Sequence, residues 1–258
     1  MTTRQKRNSI ILWMAFLVVL YFTAFTHLNA ATAPQSAKAA IEAASHSGQY
    51  LFLVFYDTQN EVVNGMVNQV QEFNRTSSKK GILYKALVTN QADAEVAAKY
   101  GIDVKAGLPI LLVVAPNGVV TGGYQQSMTM DQLTKSTSAP DLVLEILKPL
   151  QERKIALVKL QNAGTKFNQE SSDAVSEFAA DPRLKPFVAI INADPSKKDS
   201  KEFMKQCKLP DKITEATVVF LIPPATVAKV LSGKITKANL LSALSACSSG
   251  GSGCCPKP

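Results

Sequence analysis

Apolar and polar positions divide the chain into regimes with different periods. From Ile10 to Leu28 the residues are uncharged and mostly apolar, in the run "IILWMAFLVVLYFTAFTHL". At the α-helical rise such a run spans roughly 28 Å, close to a bilayer's hydrocarbon thickness. From Ser36 onward, short apolar runs alternate with segments of helical period. "SAKAAIEAASHSGQ" (36–49) has an Ala40, Ile41, Ala44 stripe and ends near Gly48. "YLFLVFYD" (50–57) is continuously apolar, the pattern of a strand buried on both faces. "NEVVNGMVNQVQEFNR" (60–75) places Val63, Met66, Val67, Val70 and Phe73 at helical spacing. "GILYKALVTN" predicts a strand, and "QADAEVAAKYG" predicts a short helix that Gly101 ends. "LPILLVVAP" and "GVVTGGY" predict a hairpin turning on Asn117-Gly118. Helical material interrupted at Pro140 follows, to about Gln151.

The second half repeats this order more faintly. "KIALVKLQN" and "PFVAIINAD" predict strands, and "EATVVFLIPP" with "AKVLSG" predicts the hairpin. "SSDAVSEFAAD", "SKKDSKEFMKQCKL" and "KANLLSALSA" predict helices, the first with Ser171 or Ser172 as its cap. The expected organisation is a stub with a membrane anchor or signal over 1–33, an α/β domain over 34–150, a second over 151–246, and a Cys-rich, Gly/Ser-rich tail over 247–258.

The stretch "KYGIDVKAGLPILLVVAPNGVV" (99–120) carries a family resemblance. It resembles the thioredoxin family at a helix end, a loop, a proline, a strand, an Asn-Gly turn and a second strand. The loop "DVKAG" is longer than the family pattern. The resemblance covers 36–150 and extends, more divergently, to the second half, where Thr217 stands ahead of the strand instead of a proline. It implies an α/β fold of two tandem thioredoxin-like domains, each a mixed sheet flanked by helices, with a cis bond between Leu108 and Pro109.

In redox-active relatives a Cys-X-X-Cys pair sits where the first strand meets the next helix, and the helix N-terminus activates the first thiol. Those positions fall on Asn60 and Val63, and the first cysteine of the chain is Cys207. Dithiol catalysis of the usual form is therefore excluded in both halves, and the reading leans away from an enzyme. What the resemblance leaves is a surface: Gly107, Leu108 and Pro109 as a place for an extended peptide to pair by its backbone, with Tyr56, Asn60 and Val63 lining the groove.

The two ends set topology and the alternative chemistry. Arg4, Lys6 and Arg7 precede the apolar run while only Lys38 follows closely, so the N-terminus is expected in the cytoplasm and the domains on the exported, periplasmic or extracellular side. The run reads as a single-pass anchor, with a cleaved secretory signal as the alternative. A net charge of +8 suggests nucleic acid at first sight. Its distribution does not: residues 34–152 carry 9 basic and 11 acidic side chains, and residues 153–243 carry 15 and 9, mostly single lysines. No Arg-rich or aromatic-interleaved patch occurs, so the expected partner is an exported or membrane protein, not a nucleic acid. Cys207 follows Phe203 and Met204 at helical spacing, as an inert packing thiol would. Cys247, Cys254 and Cys255 suit a soft metal ion such as copper, thiol–disulfide exchange, or no specific chemistry. The function expected is a non-catalytic protein-binding scaffold or chaperone-like adaptor, with metal or thiol handling by the tail as the alternative.

Overall fold

A computed structural model describes residues 34–248. The apolar run 10–28, with the expected anchor, lies outside them, as do Cys254 and Cys255. Among the described residues no helix is long and apolar enough to cross a membrane.

The first half begins with α1 (Ala37–Ser47), opened by the Ser36 hydroxyl, which accepts from the Ala39 N–H, and closed by Gly48 at φ 64°. It continues through β1 (Tyr50–Tyr56), α2 (Glu61–Thr76), β2 (Gly81–Leu87), α3 (Gln91–Lys99), β3 (Ile110–Val114), β4 (Val120–Gln125) and α4 (Met130–Ser136). The second half runs through α5 (Asp141–Gln151), β5 (Ile155–Leu160), α6 (Asn168–Ala180), β6 (Val188–Ala193), α7 (Lys198–Gln206), β7 (Thr217–Ile222), β8 (Thr226–Ser232) and α8 (Lys237–Ser248). Cys247 thus falls in the last turn of α8.

The sheets are ordered β2-β1-β3-β4 and β6-β5-β7-β8. In each, the first two strands of the half run parallel and the other pairings are antiparallel. Helices cover both faces. α1 and α3 pack on one face of the first sheet, α2 and α4 on the other. α5 and α7, then α6 and α8, repeat this on the second sheet. Both halves have the mixed sheet flanked by helices that the sequence resemblance implies.

β1 is all apolar because it is sandwiched: Phe52 and Val54 enter one cluster, Leu51, Leu53 and Phe55 the other. One edge-to-face pair sits in each core, Phe52 of β1 with Phe73 of α2 at 5.5 Å and Phe178 of α6 with Phe220 of β7 at 6.1 Å.

α5 belongs to both halves, so the boundary expected at 150/151 falls at the end of a shared helix. Leu142, Ile146 and Leu150 enter the second half's core, while Leu144 and Leu147 pack on the first half's. At 3.6 residues per turn these are two different stripes. Polar bonds fix the helix to the β3–β4 hairpin. The Gln151 amide donates to the Val120 carbonyl at 2.8 Å and accepts its N–H at 3.0 Å, and Asn117 Nδ2 donates to the Leu144 carbonyl at 3.1 Å.

One further sequence expectation is corrected. α6 starts at Asn168 with Phe167 as its cap residue in the left-handed region, so neither Ser171 nor Ser172 caps it. A cis bond also joins Pro223 to Pro224 in the β7–β8 turn, beside the cis Leu108–Pro109 bond of the first half.

Asp93 ties three elements together from a position only 3% exposed. Its carboxylate accepts from the Ala37 N–H at 2.8 Å and the Leu87 N–H at 3.0 Å. Asp93→Ala leaves both donors unpaired and is expected to cost about 2–4 kcal/mol in urea unfolding, with Asp93→Asn costing less because an acceptor oxygen remains. Ile146→Ala opens a cavity between α5 and the second sheet, and about 2–4 kcal/mol is expected by the same measurement.

Candidate functional site

The place where β1 meets α2 faces the entry to β3. Phe55 stands opposite Ile110, and Ile110 opposite Gln125, so one step further Pro109 lies between the chain at Tyr56 and the chain at Gln126. The Gln126 N–H donates to the Pro109 carbonyl at 3.0 Å. Pro109 is buried, and Leu108 is half-buried against the α1/α3 side of the core. Gly107 sits at φ 106°, where a side chain is strained, and its carbonyl accepts from Gln125 Nε2 at 2.9 Å. An added Cβ at Gly107 would lie 2.9 Å from that same nitrogen.

Asn60 is exposed and caps α2, its Oδ1 accepting from the Val63 N–H at 3.0 Å. The side chain that replaces the first thiol is thus occupied in a structural bond. Tyr56 is half-buried against the α2/α4 core. Val63 does not line the groove. It is fully buried with Met66, Val70 and Phe73 under α2. The helical period that groups those four residues already turns Val63 inward, and it turns its neighbour out. Val62, 42% exposed, is the apolar side chain presented at this end of α2, and Val104, 47% exposed, stands in the 3-10 turn ahead of Gly107. Neither was picked out by the sequence reading. The phase of the α2 stripe is the signal that finds Val62.

No backbone partner for the Leu108 N–H or C=O occurs among the described residues. The second half handles the same place differently. Leu160 stands opposite Thr217 as Phe55 does opposite Ile110, so Ala216 takes the position of Pro109 and Glu215 that of Leu108. There the chain pairs with itself. Lys166 forms a parallel bridge to Glu215, donating its N–H to the Thr214 carbonyl at 2.9 Å and accepting the Ala216 N–H at 2.8 Å. Proline has no N–H to give, so Pro109 cannot complete a bridge of that kind.

A polar knot holds the filling segment in place. Asn162 Nδ2 donates to Asp194 Oδ1 at 2.9 Å, Asn168 Nδ2 to the Asn162 carbonyl at 2.7 Å, and the Thr165 hydroxyl to Asn168 Oδ1 at 2.6 Å. The Ser196 N–H, the Asn162 amide and the Ser196 hydroxyl lower the Asp194 carboxyl to about 2. Beside the knot, burial lowers the Lys159 ammonium below the usual lysine range, and Lys159 Nζ donates to Ser172 Oγ at 2.9 Å. Among the described residues no group of three or more His, Cys, Asp or Glu side chains could hold a metal ion.

No protein-family model matches the chain. No curated protein matches it either. Solved structures do. The first two thioredoxin domains of Saccharomyces cerevisiae Eps1p match at 12% identity over 81% of this chain and 95% of that one, with a TM-score of 0.31. Zinc-bound human ERp44 matches at 13% identity over 86% and 57%, with a TM-score of 0.35. Desulfothioredoxin from Desulfovibrio vulgaris Hildenborough, in its reduced form, matches at 25% identity over 36% and 81%, with a TM-score of 0.29. Strand order and register, not these scores, define the fold of each half.

Cys207 follows α7 and is half-buried against the α5/α7 core. Burial pushes its thiol up to about 11 from an ordinary 9. Two units fewer thiolate means alkylation at neutral pH about 100-fold slower than for an unperturbed thiol. Iodoacetamide labelling of a chain with Cys247, Cys254 and Cys255 changed to Ser is expected to show this, with the rate rising steeply only as pH approaches 11.

Proposed function

We propose that this chain is a membrane-held, non-catalytic polypeptide-binding protein whose first half receives an extended segment at Leu108. Residues 10–28 anchor it, and both α/β halves stand on the exported side, where they hold a partner protein near the membrane. The observation carrying this reading is the contrast between the halves. Glu215 is bracketed by the chain's own Lys166, which bonds the Thr214 carbonyl and the Ala216 N–H on either side of it, while Leu108 has no such bridge and stands, with its N–H and C=O unpartnered among the described residues, beside a buried cis proline. The absence of cysteine at Asn60 and Val63 leaves binding without exchange.

Pro109 excludes one form of bridge. A bridge of the Lys166 kind, which bonds the carbonyl before and the N–H after the bridged residue, needs an N–H that proline lacks. An antiparallel partner uses only the N–H and C=O of Leu108 itself. Exposed Val62 and Val104 offer apolar contact to alternate side chains of that segment.

The test uses the full chain in detergent and an unfolded, carboxymethylated polypeptide without free thiols. Amide exchange at Leu108 is expected to slow on addition, and Leu108→Pro, which removes the donor, is expected to abolish capture. Unchanged exchange at Leu108 with polypeptide bound elsewhere overturns the reading.

A further inference from the structure

The two halves build one junction from corresponding residues and finish it differently. Gly48 and Arg153, both in the left-handed region at φ 64° and 60°, stand just ahead of β1 and β5. Counting back along α1 and α5 from them sets Leu142 at the position of Ala37. Leu87 stands opposite Tyr56, and Asp194, one step past the Leu160–Ala193 pair, stands opposite Gln161. Asp93 and Ser200 are each the third residue of the helix that follows, α3 and α7. In the first half the three positions are bonded together, because the Asp93 carboxylate takes the Ala37 and Leu87 N–H groups. In the second half a short, uncharged serine stands where that carboxylate stood.

The donors remain while the acceptor is gone. The Leu142 and Asp194 N–H groups have no hydrogen-bond partner among the described residues. Ser200 is only 2% exposed, and neither its N–H nor its hydroxyl has a partner among them. Caps are missing as well. Ser36 and Asn90 cap α1 and α3 with their side chains, whereas the N-cap residues of α5 and α7, Pro140 and Lys197, make no such bond. A cavity of about 420 Å³ lies between these elements, lined by Leu142, Asp194 and Ser200, within the size range of small-molecule pockets. Two uncapped helix starts, a strand-end N–H and a buried hydroxyl thus converge on a space that no side chain fills.

We infer that this cavity binds a small free amino acid, whose carboxylate takes the place that the Asp93 side chain fills in the first half. The first half supplies the precedent for the carboxylate. The charge of the lining selects the rest of the ligand. Asp141, Glu145, Asp194 and Asp199 outnumber Lys197 and Lys198 around the cavity, so a plain anion meets net repulsion. None of these four carboxylates accepts from the Leu142 or Asp194 N–H. Asp194 Oδ1 is engaged by Asn162 Nδ2 and the Ser196 N–H, and Asp141 and Glu145 are exposed. A zwitterion satisfies both conditions: its carboxylate meets the backbone donors and the Ser200 hydroxyl, and its ammonium offsets the acidic lining.

The experiment is amide exchange on the full chain in detergent at neutral pH, with glycine as the probe. The Asp194 and Ser200 amides are expected to exchange at least about tenfold more slowly as glycine saturates the cavity, while Ile191, which faces β5, is unchanged. Acetate, which lacks the ammonium, and methylammonium, which lacks the carboxylate, are expected to protect far less at the same concentration. Ser200→Asp, which rebuilds the Asp93 arrangement, is expected to slow the Asp194 amide without any ligand and to abolish the response to glycine. Ser200→Ala, which removes only the hydroxyl, is expected to weaken that response. Exchange at Ile191 reports that both variants remain folded. Absence of protection by glycine, or equal protection by acetate or by methylammonium, overturns the inference. So does a Ser200→Asp protein that still responds to glycine as the unaltered chain does. None of these readouts involves Leu108, so the first half's site is judged separately.

Discussion

A backbone N–H or C=O that leaves a sheet without a partner has to find one in a side chain, in another stretch of chain, or outside the molecule. That demand organises the periphery of both halves. Gly81 finds Asn74, Leu87 finds Asp93, and Ala216 finds Lys166. Each of these solutions fixes something larger. Asp93 holds the start of α1 against the end of β2, and Lys166 lays the β5–α6 loop along the entry to β7. At Leu108, whose N–H and C=O have no partner among the described residues, an added strand would gain hydrogen bonds instead of exchanging them.

Proline at 109 acts on this scheme by subtraction. The second half closes the corresponding position with two bonds, one of which is donated by Ala216. Removing that donor makes the self-filling bridge unattainable in the first half and leaves the N–H and C=O of Leu108 as the backbone groups without a partner among the described residues. Two copies of one architecture thus differ in how the chain closes this position, because one backbone nitrogen carries a hydrogen and the other does not. α5 keeps the copies together. Its stripe of Leu142, Ile146 and Leu150 contributes about 1.5–3 kcal/mol per side chain to the second core, while Gln151 and Asn117 bond it to the first half's hairpin.

Much of the architecture was legible because burial writes itself into the sequence. "YLFLVFYD" is apolar throughout since β1 is covered on both faces, and Asn117-Gly118 marks the hairpin since Gly118 sits at φ 86°. The pair Asn60 and Val63 was located, but the role given to Val63 was wrong. Its helical phase with Met66 and Phe73 places it in the core and leaves Val62 at the surface. The shared role of α5 was harder to see, because a helix with two apolar stripes reads locally like one with a broad stripe. The Lys166 bridge and the Asp93 knot lie beyond sequence pattern altogether. They join residues far apart through single hydrogen bonds, and such bonds impose no period on the chain.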